Sequence, residues 1–581
     1  MISENLSIPS LKIDSTPQKR AIINAYLNNC RSRLLEGSDI PFSAAKSQNY
    51  HTTIPNGTMV RLTRDAMDFS LALLEEGNAD SIAHASRILH TVIEAQDQEP
   101  CNPTYGIWPW FFEEPISKMR PPDWNWADFI GMRLVHVYVR YGKLLAKDLL
   151  VEIKASLTAA AQSIFRRNVG PEYTNIAVKG ALVTILVGEK LEHPMLLTYG
   201  RQRLQRFIEH TLRHGGFNEY NSPPYGILLL LEVERGLFLS RDEQAKRLML
   251  EIHEIYWSRL SEAIHLPTRQ ICGPHARSYN DLLTSEQTFI LAEGLEAPLY
   301  FPISNKFDQQ IDAINLFSPA LIPRIPCPGA IRETILSTPR KHFIKQEYVR
   351  SDNPEDCRHG AIWLDGDACI GSVNIDNLWT QRHPVIGYWR TGEDVAVLRV
   401  RLKHGEQDFA SGALRTVQKN GHLLSVCSLI TNRGDSHDHL DKPSDGTFEL
   451  DQLHLSIELS APDVSVTQKE SGAYTLSAGN HAISIHPLHC EFDAYPVEWS
   501  VACETGRVCV VATVNEGKKV HLPISSMKKV GIGFFLSLHD VCEMESIDLK
   551  SIVEENYVSH FAQSLSSDLK LTAYRHPRSQ N

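Results

Sequence analysis

The segment from Gly215 to Gly226, GGFNEYNSPPYG, holds the densest group of residues that could carry out chemistry. Its glycines and prolines favour an irregular backbone, and a simple helix connection does not need so many polar side chains. We interpret the segment as part of an active site; the alternative is an elaborate turn. The side chains that could transfer protons or form hydrogen bonds are Asn218, Glu219, Tyr220, Asn221, Ser222 and Tyr225.

A second polar group lies in the segment GPHARSY, residues 273–279. It combines a potential base, His275, with a fixed cation, Arg277, and a phenol, Tyr279. A single histidine here would more often be structural. The three residue types together favour an active-site loop.

Asn175 stands at the start of a strongly apolar stretch, directly after Tyr173 and Thr174. Its amide could bind a substrate carboxylate. Alternatively, Thr174 or Asn175 caps the helix by accepting hydrogen bonds from free backbone N–H groups.

A third segment, residues 105–126, is rich in aromatic residues and contains four of the nine tryptophans. Aromatic faces stack on sugar rings, so exposed tryptophans here would form a carbohydrate platform. The alternative is a set of core aromatics at helix ends. The residues concerned are Trp108, Trp110, Trp124, Asn125 and Trp126.

The elements that position these segments are helices, because apolar residues recur at helical spacing from about residue 17 to 320. Short connections between them predict antiparallel helix pairs, arranged as a closed ring of hairpins. The predicted helices are 65–76, 80–94, 127–145, 147–165, 175–191, 195–212, 225–237, 241–263 and 285–295.

After Pro319 a proline-rich stretch, PALIPRIPCPG, leads into strands. Leu453, Leu455, Ile457 and Leu459 alternate with polar residues, which is typical of a half-buried strand. Two short strands flank the turn at residues 478–480 and predict a hairpin. Many such strands indicate an antiparallel β-sandwich. The sequence therefore predicts two domains, an all-helical one over residues 1–325 and a sandwich over 326–581.

Composition narrows the functional classes. The net charge of -11 and the absence of a basic run exclude a typical nucleic-acid binder. No apolar run is long enough to cross a membrane, and the first twenty residues lack the apolar core of a signal peptide. The 11 cysteines include no CxxC pair, so we expect reduced thiols in a cytoplasmic protein. No cofactor is expected, and a homodimer is a possible assembly.

The second half offers two weaker candidates. His437 and His439, in the segment HDHLD, have spacing compatible with a structural divalent metal, although a hydrogen-bonded turn is the preferred interpretation. Arg382 and His383 lie in the stretch 374–389, which could form part of a domain interface and cleft wall or a strand pair in the sandwich core.

The order of the motifs resembles that of the polysaccharide lyases built from an incomplete (α/α) toroid followed by an antiparallel β-sandwich. This group includes chondroitin AC, hyaluronate, alginate and heparinase II/III-type lyases, and the chain resembles a divergent member. The segment 124–126 is similar to its aromatic patch, Asn175 to its catalytic asparagine, and Tyr225-Gly226 to its Tyr-Gly pair. Where the group has a histidine, this chain has Glu219 and Tyr220. His275 could take that role, or Tyr225 could serve as both base and acid.

The resemblance implies a carbon–oxygen lyase that cleaves a uronate-containing oligosaccharide or glycoside by β-elimination. Asn175 and Arg277 would neutralise the uronate carboxylate, and Tyr225 or His275 would remove the C5 proton. Tyr225 or Tyr279 would protonate the leaving oxygen. As a base, Tyr225 needs a lowered pKa, which Arg277 could supply. The expected substrate-binding residues are Trp108, Trp124, Asn125, Trp126, Asn218, Tyr220, Asn221 and Arg382.

Two other functions remain open. A glycoside hydrolase on the same scaffold would use Glu219 with Asp128 or Asp123 as acid and base. A non-catalytic carbohydrate-binding protein would bind sugar without turning it over. Only elimination creates a conjugated double bond that absorbs in the near ultraviolet.

Overall fold

The computed structural model of the protein describes residues 16–46, 50–297, 310–337, 341–542 and 546–580. Residues 1–15 lie outside this part of the chain. They make up most of the segment from which the sequence analysis inferred that a signal peptide is absent. Within it, the first half is helical and the second half is built from strands, as the sequence predicts.

Helices dominate as far as Leu336, with two short strand pairs between them. The helices are α1 (Pro17–Ser32), α2 (Thr63–Glu76), α3 (Ala79–Glu94), α4 (Trp126–Tyr141), α5 (Lys147–Arg167), α6 (Thr174–Lys190), α7 (Pro194–His214), α8 (Pro223–Leu239), α9 (Glu243–Ser261), α10 (Ser285–Leu295), α11 (Gln310–Ala320) and α12 (Gly329–Leu336). The short strands are β1 (Ser43–Ala44), β2 (Met59–Val60), β3 (Ile264–His265) and β4 (Gln270–Ile271).

Strands occupy most of the rest of the chain. They are β5 (Lys341–Val349), β6 (Arg358–Asp365), β7 (Ala368–Val373), β8 (Ile375–Asn377), β9 (Val385–Thr391), β10 (Asp394–His404), β11 (Gln407–Asp408), β12 (Gly412–Lys419), β13 (His422–Leu429), β14 (Thr447–Ser460), β15 (Val464–Gln468), β16 (Tyr474–Ala478), β17 (His481–Phe492), β18 (Glu498–Glu504), β19 (Arg507–Pro523), β20 (Val530–Asp540), β21 (Asp548–Val553), β22 (Tyr557–Gln563) and β23 (Asp568–Tyr574).

The described residues form two compact units, and each unit is assembled from three stretches of chain. Unit 1 falls within Met1–His210, Ile227–Trp257 and Thr284–Pro328. Unit 2 falls within Thr211–Gly226, Ser258–Leu283 and Gly329–Asn581. The predicted single boundary after residue 325 does not describe this division, because two segments from the helical half group with the strands.

Unit 1 has the two-layered helix packing of an incomplete (α/α) toroid. Alternate helices contact each other, α2 with α4 and α4 with α6 in one layer, and α3 with α5 in the other. Consecutive helices also pack, as α2 does with α3 across the connection at Gly77 and Asn78. The predicted fold class of this half is confirmed.

Local sequence explains individual helices. The Asn78 side chain accepts a hydrogen bond from the Ser81 backbone N–H at 2.9 Å and so caps α3. Helix α6 is buried on every side from Thr174 to Gly188, as expected for a helix of the inner layer. The buried face of α3 carries Ala85, Ile88, Leu89, Val92 and Ile93 at the predicted helical spacing.

The described residues of unit 2 form three larger antiparallel sheets beside the two-stranded pair of β3 and β4. The largest has the order β18-β19-β14-β10-β9-β7-β6-β5, with β11 beside β10, and the second has the order β15-β16-β17-β20-β13-β12-β8. Strands β21, β22 and β23 form the third. Buried side chains from the two larger sheets share one hydrophobic cluster, so these sheets pack face to face as the predicted sandwich. The hairpin turn at Gly479 and the strand β14 are confirmed. The expected half-burial of β14 is wrong at residues 455–459, where Ser456 and Glu458 are buried as well.

Among the described residues, no helix combines the length and apolarity needed to cross a bilayer. All the cysteines lie within the described residues and are free thiols.

A buried ion cluster links two helices of unit 1. The Lys179 ammonium on α6 lies 3.2 Å from one Glu232 carboxylate oxygen on α8, and the Arg235 Nε lies 3.3 Å from the other. The side chains of these three residues are at most 4% exposed. Burial lowers the pKa of Lys179 to about 8, although Glu232 opposes the shift.

We expect Glu232→Gln to lower the free energy of unfolding by about 3–5 kcal/mol, because two buried cations lose their counter-charge. The matched control is Glu243→Gln, which removes a 69%-exposed partner of Lys246 and should cost less than about 1 kcal/mol. Urea denaturation followed by tryptophan fluorescence measures both changes. Equal effects of the two substitutions would contradict the role given to the buried cluster.

Candidate active site

Two loops of unit 2 lie side by side and carry the candidate catalytic residues. The first is the segment 215–226 that leads into α8, and the second is the segment 273–281 that follows β4. The Ala276 backbone N–H donates to the Tyr220 carbonyl at 3.0 Å, and the Ser222 hydroxyl donates to the Arg277 carbonyl at 2.6 Å. Backbone contacts therefore fix the two predicted segments against each other.

Arg277 is the centre of the cluster. Its Nε and Nη2 donate to the Gln381 side-chain oxygen at 3.0 and 2.7 Å, and its Nη1 donates to Glu219 Oε1 at 3.2 Å. The guanidinium carbon lies 4.2 Å from the centre of the Tyr225 ring and 5.5 Å from that of Trp379. A guanidinium held by its edge in this way presents its flat face to the aromatic rings.

Tyr225 and Tyr279 form a hydroxyl pair beside this cation. Their oxygens are hydrogen-bonded to each other, and Tyr279 is 50% exposed. Burial raises the pKa of Tyr225 well above its ordinary value, although the charge of Arg277 opposes the shift. The expectation that Arg277 would give Tyr225 a lowered pKa is therefore wrong in direction, and the resting group is a protonated phenol.

Tyr220, Asn221 and Arg382 form part of the framework of the segment. Tyr220 is 3% exposed, stacks on Tyr348 with ring centres 4.1 Å apart, and donates its hydroxyl to Asp376. Arg382 donates to Asp376 at 3.1 Å. The Asn221 amide donates to the Tyr348 hydroxyl at 3.1 Å. The expected substrate contacts of these residues are not supported, because their polar groups are used internally.

His275 is also structural in this geometry. It is 1% exposed, and its Nε2 lies 2.9 Å from the Ile271 carbonyl oxygen. Its backbone exchanges two hydrogen bonds of 3.0 Å with that of His383. Burial lowers the pKa of His275 to about 4. The structure therefore contradicts the expected role of His275 as a base that reaches substrate.

Asn218, in the first loop, is half-buried, and its expected contact with substrate stays a prediction.

The histidine-rich segment after β13 is a hydrogen-bonded turn. The Asp441 carboxylate accepts the backbone N–H groups of Asp435 and Ser436 at 3.0 and 2.8 Å. The His437 Nδ1 accepts the backbone N–H of His439 at 3.0 Å. The ring nitrogen and the carboxylate that could have bound a metal therefore close the turn.

The aromatic segment of unit 1 divides into buried and accessible parts. Trp108 is fully buried and donates its indole N–H to the Val92 carbonyl at 2.8 Å, so its expected sugar contact is wrong. Trp110 and Trp126 are half-buried, with ring centres 5.3 Å apart. Trp124, also half-buried, donates to the Pro103 carbonyl at 3.0 Å.

The two asparagines singled out in unit 1 lie at helix starts. Asn125 accepts from Arg167 at 2.6 Å and donates to the Tyr173 hydroxyl at 3.3 Å. Asn175 is 3% exposed in the first turn of α6, where Tyr173 occupies the capping position without a side-chain cap. Thr174 and Asn175 are therefore the first two helical residues and do not occupy the capping position, and the carboxylate-binding role of Asn175 stays a prediction.

Gln381 and Trp379 contact Arg277, and the sequence analysis did not single out either residue. Both lie in the connection between β8 and β9, inside the stretch 374–389 considered for a cleft wall. Gln381 is 1% exposed and carries no charge, so neither its type nor its spacing signalled a contact with Arg277.

Residues 38–293 match a sequence family described as a domain of unknown function, DUF8769. A search of curated proteins finds no match. Among solved structures, the chain is similar to heparinase III, with 11% identity, a TM-score of 0.48, and 97% of this chain and 93% of that chain covered. It is also similar to the Streptomyces coelicolor A3 chondroitin AC lyase in complex with chondroitin sulphate, with 9% identity, a TM-score of 0.47, and coverage of 97% and 86%. A heparan sulfate lyase from Pedobacter heparinus has 10% identity, a TM-score of 0.30, and coverage of 96% and 94%. At this level of identity the similarity concerns the fold alone and assigns no role to residues of the candidate site.

The buried state of His275 predicts a pH dependence of stability. A pKa of about 4 in the folded protein lies below the ordinary value of about 6.5, so the unfolded chain binds the proton more readily. Stability is therefore lost as pH falls through this window. Between pH 7 and 5, we expect the wild type to lose about 2 kcal/mol more than His275→Gln. Urea denaturation at both pH values measures the difference, and parallel losses would show that His275 is accessible to protons.

Proposed function

We propose that the protein is a carbohydrate lyase that cleaves a uronate-containing oligosaccharide or glycoside by β-elimination at the Arg277–Tyr225–Tyr279 cluster. The observation that carries the proposal is the position of the Arg277 guanidinium, whose carbon lies 4.2 Å from the centre of the Tyr225 ring. The Tyr225 hydroxyl is also hydrogen-bonded to the hydroxyl of the half-exposed Tyr279. This arrangement provides the Tyr225 phenol, a fixed positive charge beside it, and a route through Tyr279 by which the phenol proton can reach water.

Elimination needs a base for the C5 proton and an acid for the leaving oxygen. The C5–H bond and the C4–O bond break, a C4=C5 double bond forms, and the proton ends on the departing oxygen. Tyr225 can serve in both steps if its own proton first passes to the Tyr279 hydroxyl while Tyr279 releases its proton to water. Arg277 then stabilises the phenolate, which takes the C5 proton and returns it to the leaving group.

The sequence analysis named two candidate bases, Tyr225 and His275. Because His275 is buried, Tyr225 is the remaining candidate. Its neighbours support this assignment, because Glu219 and Gln381 fix the guanidinium and Tyr279 supplies the solvent-facing hydroxyl. The similarity of Tyr225-Gly226 to the Tyr-Gly pair of the lyases agrees with this role.

A hydrolase that pairs Glu219 with Asp123 or Asp128 is less well supported. Asp123 is 6% exposed and accepts hydrogen bonds of 3.0 Å from the Trp110 indole and the Asn125 backbone. Burial raises the pKa of Asp128 to about 7, a value suited to a general acid, but the side chain is only 2% exposed. The burial that shifts this pKa also keeps the carboxyl away from a glycosidic oxygen.

We expect Tyr225→Phe to lower the rate of elimination by about 100-fold or more, because the phenol transfers the proton. The assay follows near-ultraviolet absorbance with a panel of uronate oligosaccharides. Tyr557→Phe is the matched control, since Tyr557 also packs on a second tyrosine, Tyr574, with ring centres 4.7 Å apart. If the wild type is active and Tyr225→Phe eliminates at the same rate, the reaction takes place elsewhere in the chain.

The raised pKa of Tyr225 predicts an alkaline pH profile. The active form is the phenolate, so below the pKa its population, and with it kcat/KM, rises about tenfold for each pH unit. Assays between pH 7 and 9 test this slope. Arg277→Met should lower activity throughout, since it removes the charge that stabilises the phenolate. An optimum near pH 6 would instead indicate a carboxylate or histidine base.

A further inference from the structure

The connection between α3 and α4 in unit 1 lines an open cavity of about 530 Å³. Its lining residues all lie between Ala95 and Pro122. The connection contains only one short 3₁₀ helix, Ile116–Lys118, and is much longer than the about 12–15 residues beyond which irregular loops are uncommon. Long ordered loops of this kind usually serve a function.

Hydrogen bonds within the loop, and from the segment before α2 to the loop, fix acidic side chains of the cavity lining. The Asp97 carboxylate accepts from the Asn102 amide at 3.1 Å and from the Thr104 hydroxyl at 2.6 Å. The buried Glu114 carboxylate accepts from the Thr52 and Thr53 hydroxyls at 2.5 and 2.6 Å. The walls are therefore fixed by interactions within unit 1, which is the condition for a preformed binding site.

The lining combines an apolar wall with a polar one. Pro109, Phe112 and Ile116 contribute carbon surface, while the exposed Ser117 and Arg120 contribute hydrogen-bonding groups. A pyranose ring has the same two-sided character, with C–H faces that stack on an aromatic ring and hydroxyls that form hydrogen bonds. The volume lies in the range of about 300–1,000 Å³ that is usual for small-molecule sites.

The charges of the lining select an uncharged ligand. The lining contains two acidic residues, Asp97 and Glu114, and one basic residue, Arg120, which is exposed and therefore solvated. Two negative charges disfavour a uronate or sulfate group. The same carboxylates already accept hydrogen bonds from neighbouring amides and hydroxyls, so a cationic ligand would compete with these donors.

We propose that this cavity binds an uncharged sugar residue, separately from the uronate chemistry assigned to the tyrosine cluster. The inference depends on the proposed function in one respect, which is that the ligand is a carbohydrate. For a carbohydrate with alternating charged and neutral residues, the cavity would select the neutral one.

Saturation-transfer NMR and calorimetry test the proposal on the full chain. The probes are the methyl glycosides of glucose, galactose and mannose, their 2-acetamido forms, and glucuronic acid as the anionic comparison. We expect at least one neutral sugar to bind in the millimolar range and glucuronic acid to bind at least tenfold more weakly. Failure of every neutral probe to bind, or equal binding of glucuronic acid, would overturn the proposal.

Two pairs of variants locate the binding. Ser117→Trp fills the cavity mouth, and Lys118→Trp places the same ring on an adjacent exposed residue outside the lining. Phe112→Ala removes the aromatic wall, and Phe165→Ala removes a 39%-exposed phenylalanine of α5 as its control. We expect the first member of each pair to weaken binding at least tenfold and the second to leave it unchanged. Equal effects within both pairs would place the binding elsewhere.

The elimination assay on the same preparations separates this proposal from the lyase proposal. Neutral-sugar binding that responds to Ser117→Trp, in a protein that eliminates no uronate, would support the cavity and refute the lyase. Elimination by a wild type that binds none of the neutral probes would refute the cavity alone.

Discussion

Arg277 organises the candidate site through the way in which its donors are used. All three of its guanidinium nitrogens are committed at the edge of the group, to Gln381 and to Glu219. This leaves the flat face for the Tyr225 ring, so the charge acts on the phenol through its π face. An arginine with mobile donors could form a salt bridge with a substrate carboxylate, but it could not hold a fixed charge beside one phenol.

The register of the sheets determines where this charge lies. Gln381 belongs to the connection between β8 and β9, and its backbone carbonyl accepts the Ser278 N–H at 2.6 Å. The neighbouring pair His275 and His383 exchanges backbone hydrogen bonds like two residues of an antiparallel ladder. Burial of both imidazoles keeps the loop in this register without adding a charge to it. The loop from the helical half of the sequence is thus positioned by the sheet-rich unit.

The spacing of apolar residues predicted the fold because this signal acts within a few residues, as in α3 and β14. The sequence also grouped Tyr225, Arg277 and Tyr279, and the structure places these three side chains in contact. Their shared function stays a prediction. Burial could not be inferred from residue type. Trp108, Tyr220 and His275 are polar or aromatic residues of the kind that bind substrate, yet long-range packing encloses them. The pKa of Tyr225 was misjudged for the same reason, because the desolvation that raises it depends on the whole fold.

The central claim is that the Tyr225 phenolate removes the C5 proton of a uronate residue. The most direct measurement uses a uronate oligosaccharide with deuterium at C5 of the residue next to the cleaved bond, analysed by mass spectrometry after cleavage. Elimination predicts an unsaturated product that has lost the deuterium, formed more slowly than from the unlabelled substrate. A saturated product that keeps its deuterium would show hydrolysis and would contradict the assignment of Tyr225 and Arg277 to β-elimination.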